Sequence, residues 1–176
     1  MKQEVTVTAS LDPDTPSALP EGSFSGRAAF QQLVRDALAC AAREGWRKII
    51  LSDASFDDWP LGELAVAQSL QAWSASGRRC TLLARRYDAL VRRHPRFVAW
   101  RSTWSHIIEA KGCAAADPLE LPSAIWSPGW VMLRLDSERC TGYSGREPER
   151  RLLLGESLQA WLQKSAPAFS ATTLGL

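Results

Sequence analysis

Residues 25–110 of this 176-residue chain alternate between two hydrophobic periods, and that alternation restricts the fold more than any other feature. Phe30, Leu33, Val34, Ala37, Leu38 and Ala41 recur at the spacing of one helical face, and Gly45 ends the stripe. Directly afterwards Ile49, Ile50 and Leu51 form a compact apolar run, the signature of a short buried strand. Residues 61–76 return to the helical period through Val66, Leu70 and Trp73 and stop at Gly77, and residues 79–84 are a second strand of the same type. Residues 86–104 are helical again, with Pro95 dividing them after His94, because proline removes a helix hydrogen bond and restricts the residue before it. Tyr87, Leu90 and Val91 are expected to face inward from the first half, and Phe97, Val98 and Trp104 from the second. Residues 106–110 read as a third strand. The order αβαβαβ predicts an α/β fold, a three-layer α/β/α arrangement around a mixed, largely parallel sheet.

Beyond residue 110 the alternation stops. Residues 112–128 form a connection rich in small residues and proline, without a clear period. Residues 130–136 are a strand with Val131, Leu133 and Leu135 on one face. Ser137 and Glu138 turn it into a second strand over 139–143, and a last helix over 148–163 carries Leu154, Leu158 and Trp161. Pro13, Pro16, Pro20 and Gly22 mark residues 1–25 as an extended arm, in which Val5 and Val7 alternate well enough to add an edge strand. Residues 26–164 then make a single domain and 165–176 a tail. With 45% hydrophobic and 23% charged residues, such a domain buries a core that needs neither disulfides nor a structural metal. No apolar run approaches ~18 residues and no apolar leader opens the chain, so a cytoplasmic protein without membrane insertion is expected.

The four cysteines lie 40, 33 and 27 residues apart, with no CxxC or HxxxH spacing, so zinc finds no local ligand pair and free thiols are expected. Neither GxGxxG nor GxxxxGKS/T nor GxSxG occurs, and no cofactor is expected. Charge is more informative. Residues 78–101 hold eight arginines against Asp88 alone, +7, which leaves −5 for the rest of a chain whose net charge is +2. That segment reads either as an anion surface for a small phosphate, nucleic acid or membrane headgroups, with Arg92 and Arg93 as nucleic-acid contacts, or as a solvated face paired with acids from elsewhere. The small net charge disfavours a dedicated nucleic-acid binder.

The order of elements resembles one half of the phospholipase D-like superfamily. The stretch from Ala28 through Ile49-Ile50-Leu51-Ser52 to Ser76-Gly77-Arg78-Arg79-Cys80-Thr81-Leu82-Leu83 has the family's helix, strand, loop, helix and glycine-ended turn into a second strand. Trp130-Val131-Met132-Leu133-Arg134-Leu135-Asp136, followed by Arg139-Cys140-Thr141-Gly142-Tyr143-Ser144, stands where the family carries its HxKxxxxD strand and hairpin partner. With Asp136 at the aspartate, the histidine position falls on Gly129 and the lysine position on Val131. Neither side chain can form a phospho-enzyme or steady a phosphate. The resemblance thus implies a degenerate active site, a non-catalytic binding or assembly module of bacterial type. Because catalytic members bring two such halves together, it also implies a homodimer.

Ligands of parallel α/β sheets bind beyond the carboxyl ends of the strands. The loop after the first strand holds Asp53, Asp57 and Asp58, which either hold a cation or supply a base, or else serve in ion pairs and capping, with Asp57 or Asp58 at the start of the next helix near Pro60. Arg85 and Arg86 follow the second strand and are placed to neutralise those aspartates or clamp an anion with them. An enzyme using this loop with Arg85 is the alternative to a binding module. The family resemblance puts Tyr143, Ser144 and Arg146 on the same rim. His94 is expected at the surface at the helix break and His106 at the start of a strand, both structural. The eight tryptophans serve either as packing under loops or, with arginine, as a partner surface.

Overall fold

The computed structural model describes residues 18–171. The expectation of a strand around Val5 and Val7 lies outside the described residues. A single eight-stranded sheet with strands in the order β1-β7-β6-β5-β2-β3-β4-β8 organises the chain. Its members are β1 (Gly22–Phe24), β2 (Lys48–Asp53), β3 (Arg79–Ala84), β4 (Ile108–Gly112), β5 (Ser123–Trp126), β6 (Val131–Asp136), β7 (Thr141–Gly145) and β8 (Ala166–Pro167). Five helices accompany them: α1 (Arg27–Glu44), α2 (Leu64–Trp73), α3 (Asp88–Arg93), α4 (Pro95–Thr103) and α5 (Pro148–Lys164).

The parallel unit is present, with β2 beside β3 and β3 beside β4. The sheet as a whole is not largely parallel. Its other five neighbouring pairs, β1/β7, β7/β6, β6/β5, β5/β2 and β4/β8, are antiparallel. The difference arises in the connection after β4, where Ser123–Trp126 forms β5 along the free edge of β2 and attaches the β6–β7 hairpin to it. Four residues between prolines are too short to show a period of two, which is why the sequence reads as loop there. β1 and β8 bring segments on either side of residues 26–164 into the sheet as its two edges.

Strand parity assigns the faces. Ile49 and Leu51 of β2, Cys80 and Leu82 of β3, Ile108 and Ala110 of β4, Ile125 and Met132 pack with α1 to α4 in one large cluster. Ile50, Leu83, Ala124 and Val131 point to the other face and meet Leu154 and Leu158 of α5. The period that made α1 legible is the one that is buried, from Phe30 to Ala41, and Gly45 closes the helix in the left-handed conformation at φ 69°. Pro95 starts α4 at its first turn and separates it from α3. Val91 is 46% exposed, because α3 is too short to keep three residues on its inner side and only Leu90 is buried.

None of the eight tryptophans is exposed, and Trp59, Trp73, Trp100 and Trp130 are buried. Most indole N–H groups have a partner, such as Trp46 O for Trp73, Ser74 Oγ for Trp100 and Arg151 O for Trp126. Of the two readings of the tryptophans, packing is the one that their burial supports.

One close approach holds the hairpin. Gly142 of β7 pairs with both Arg134 and Phe24, and a Cβ there would overlap the Leu133 carbonyl oxygen and lie 2.8 Å from the Phe24 ring. Gly142→Ala is expected to destabilise the protein by about 1–3 kcal/mol, read as a lowered urea midpoint.

Candidate functional site

Asp53 is the last residue of β2, Arg134 lies near the end of β6, and both strands run in the same direction on either side of β5, so their ends meet. Arg134 points to the α1 side and its side chain is 3% exposed. Its Nη2 donates to Asp53 Oδ1 at 2.9 Å and to Asp58 Oδ1 at 3.2 Å, and its Nη1 donates to Asp58 Oδ2 at 2.6 Å. Nε donates to Ser123 Oγ at 3.0 Å, and Nη1 also reaches Cys140 Sγ at 3.7 Å. A guanidinium has five N–H donors, and all five are occupied by the protein itself. Phe30 lies beneath the plane, 4.1 Å from ring centroid to guanidinium carbon. Burial opposes the charged form, but the hydrogen bond that Arg134 donates to Asp58 and the charges of Asp53 and Asp58 hold the Arg134 pKa above its ordinary value.

The loop that supplies the aspartates is packed into the core. Asp53 Oδ2 accepts the N–H groups of Ser55 at 3.0 Å and Phe56 at 2.7 Å, which turns the chain sharply as it leaves β2. Phe56 sits in the left-handed region at φ 56°, fully buried, with Trp59 edge-on to it at 5.0 Å and to Phe30 at 5.6 Å. His94 is buried rather than at the surface, with Nε2 2.9 Å from the Phe56 carbonyl oxygen, because the α3–α4 break folds against this loop. Neither Asp57 nor Asp58 caps the next helix, which begins at Leu64 without a side-chain cap. Asp57 instead pairs with Arg93 at 2.8 Å, where both are exposed.

The remaining expected rim residues lie elsewhere. Arg85 Nε donates to the Ala116 carbonyl, and Arg85 and Arg86 face a different groove, with Arg92, beside Ala166–Phe169. Tyr143 faces the α5 side beneath Arg150, whose guanidinium carbon is 4.2 Å from its ring centroid. Ser144 is buried and donates to the Pro20 carbonyl, and Arg146 is 3.8 Å from Glu21. The physical reason is the hairpin: β7 runs back along β6, so its carboxyl end is at the opposite end of the sheet from Asp53. His106 is exposed and precedes β4. Gly129 stands at an exposed turn with open space where a Cβ would be, Val131 is fully buried under α5, and Asp136 Oδ1 accepts the N–H groups of Glu138 and Arg139 to close the hairpin turn.

Arg134 is the residue that the pattern of β6 obscured. Val131, Leu133 and Leu135 suggest the buried face, yet Leu135 is 70% exposed and the buried polar member is on the other side. The available signal was that an arginine between Met132 and Asp136 on a strand covered by helices needs carboxylates, and the loop holding Asp53 and Asp58 supplies them.

Outside the ion pair lies a groove of about 870 Å³ walled by this loop and residues 118–123 and 133–138. Its side chains include Asp53, Asp57, Asp58, Glu120, Asp136 and Glu138 against Arg27 and Arg134. It is acidic, and a phosphate is repelled rather than gathered. No cluster able to hold a metal ion occurs among the described residues, and the two buried carboxylates are already held by Arg134. Positive charge collects on the β4–β8 edge instead: Arg85, Arg86 and Arg92 border a groove of about 910 Å³ at one end of β4, and Arg79 and Arg101 border another at the other end. No described helix is long and apolar enough to cross a membrane.

No family model and no curated protein sequence matches the chain. Among solved structures the chain is similar to the archaeal chromatin protein TrmBL2, described as showing a novel mode of DNA binding. The match has a TM-score of 0.63 at 13% identity and covers 89% of this chain and 57% of that one. It shows a shared mixed α/β fold, and the chain spans little more than half of that protein's length.

If the Asp53–Arg134–Asp58 arrangement is a structural tie, Arg134→Met costs about 3–5 kcal/mol by leaving Asp53 buried and uncompensated. Asp57→Ala, which removes only an exposed pair, costs less than about 1 kcal/mol. Urea unfolding of the two variants checks the contrast.

Proposed function

We propose that the chain is a non-catalytic binding module with the three-layer architecture of a phospholipase D-like half. The observation that carries this reading is the saturation of Arg134. The polar groups at the strand ends satisfy one another and leave no free donor for a substrate phosphate. The exposed Gly129 and the buried Val131 support it, since the family's nucleophile and its lysine have no counterpart at those positions. A second copy of the chain remains the partner that the resemblance implies. The purified protein is expected to hydrolyse bis(p-nitrophenyl) phosphate no faster than buffer does. Turnover that Asp58→Asn abolishes while the fold persists would overturn the proposal.

A second reading takes the basic edge as a surface for nucleic acid. Its specific support is that Arg86 and Arg92 are exposed, have no side-chain partner among the described residues and stand beside Arg85 on one groove. The structural neighbour TrmBL2 is described as binding DNA, and here the likeness adds only plausibility of shape. Three phosphate contacts would lower affinity for duplex DNA roughly 40-fold between about 50 and 200 mM salt. Fluorescence anisotropy measures this directly. The reading predicts that Arg86→Glu with Arg92→Glu flattens the salt dependence, and the absence of binding at about 50 mM salt rules it out.

A further inference from the structure

Two arginines in this protein are almost equally buried, Arg134 at 6% and Arg101 at 7% relative exposure, and their surroundings are opposite. Arg134 has every donor satisfied. Arg101, on α4, has Nε and Nη1 buried with no hydrogen-bond partner, and no carboxylate is paired with it among the described residues. The Phe169 ring lies 5.8 Å from its guanidinium carbon, and Tyr87 and Cys80 are close enough to act on its charge. The Tyr87 hydroxyl is already donated to the Lys111 carbonyl at 2.7 Å. Burial pulls the Arg101 pKa below its ordinary value, the direction expected of a cation that lacks a counter-ion. Buried polar groups in folded proteins are satisfied as a rule, and a guanidinium orphaned among the described residues calls for an acceptor from beyond them.

There is room for one. Arg101 forms part of the wall of a cavity of about 680 Å³, between β4 and residues 167–171, with Arg79 and His106 at its mouth. That volume falls in the range of small-molecule sites and exceeds what an inorganic ion fills. The single acidic side chain on its wall, Glu109, is 3.1 Å from Lys111, whereas Arg79 is exposed and has no side-chain partner among the described residues. The field in the cavity is therefore positive, and its most buried group is a planar fork of donors suited to a carboxylate or phosphate.

We infer that this cavity is an oxyanion site, in which Arg101 binds the phosphate or carboxylate group of a small molecule and Arg79 contributes charge at the entrance. The inference is independent of whether the chain has phosphodiesterase activity and concerns the end of β4 opposite the Arg85–Arg86–Arg92 groove. Isothermal titration calorimetry of the full chain in chloride buffer, with inorganic phosphate in one series and acetate in the other, tests it. Saturable binding of a single equivalent is expected from one of the two, which also names the group. Arg101→Met is expected to weaken it at least about tenfold, the loss of one charge-assisted pair. Should Arg101→Met fail to fold, Arg79→Ala, at an exposed position, decides: a several-fold weaker titration supports the site and an unchanged one overturns it. Lack of saturable binding of either anion up to about 10 mM, or binding that Arg101→Met leaves intact, also overturns it.

Discussion

A guanidinium buried between two carboxylates joins the two halves of this protein. Asp53 and Asp58 belong to the parallel unit and Arg134 to the antiparallel hairpin, so the ion pair spans β5 and ties together segments about 80 residues apart in sequence. Such a triad is costly to desolvate and gains little over a well-packed apolar replacement, yet it is strict about geometry. Five donors must find five acceptors, and that is possible only when β6 lies in one register on β5, loop 53–60 is folded over Phe30, and Cys140 and Ser123 are in place. The left-handed Phe56 and the buried His94 serve the same end by pinning that loop from below.

The tie also underlies the proposal that the most polar corner of the sheet is not a reaction centre. A catalytic carboxylate needs access and a proton to move, and a phosphate site needs uncommitted positive charge. Here the positive charge is spent on the carboxylates, and the outer groove is left acidic. The basic middle of the sequence, offset by acidic flanks, becomes a spatial segregation in the fold: acids gather at the β2 and β6 ends, arginines along the β4–β8 edge. An anionic ligand that this chain recognises by charge is drawn to that edge.

Much of the architecture was legible from local pattern. The stripe from Phe30 to Ala41, the runs at Ile49 and Leu82, the stop at Gly45 and the break at Pro95 each carry their own physical signal, and the parallel β2–β3–β4 unit follows from their order. β5 was not legible, since four residues are too few to display a period and their pairing with β2 is a long-range event. The candidate site was legible only in part. Asp53 and Asp58 stood out as acids after a strand, while their partner was hidden on a strand whose apolar alternation marked only the α5 face, although the opposite face is buried too.

The sequence by itself therefore determined the helices and the strands β2, β3, β4, β6 and β7, the parallel core, the absence of an HxKxxxxD motif, and the concentration of arginine in residues 78–101. Only the tertiary structure decided that the sheet is mostly antiparallel, that Asp53 and Asp58 face Arg134 rather than Arg85, and that Arg101 is buried with no counter-ion among the described residues. The division has one cause. Helical and strand periods are written in neighbouring residues, whereas the partner of a buried charge is chosen by strand order and register, which depend on how the whole sheet closes its core.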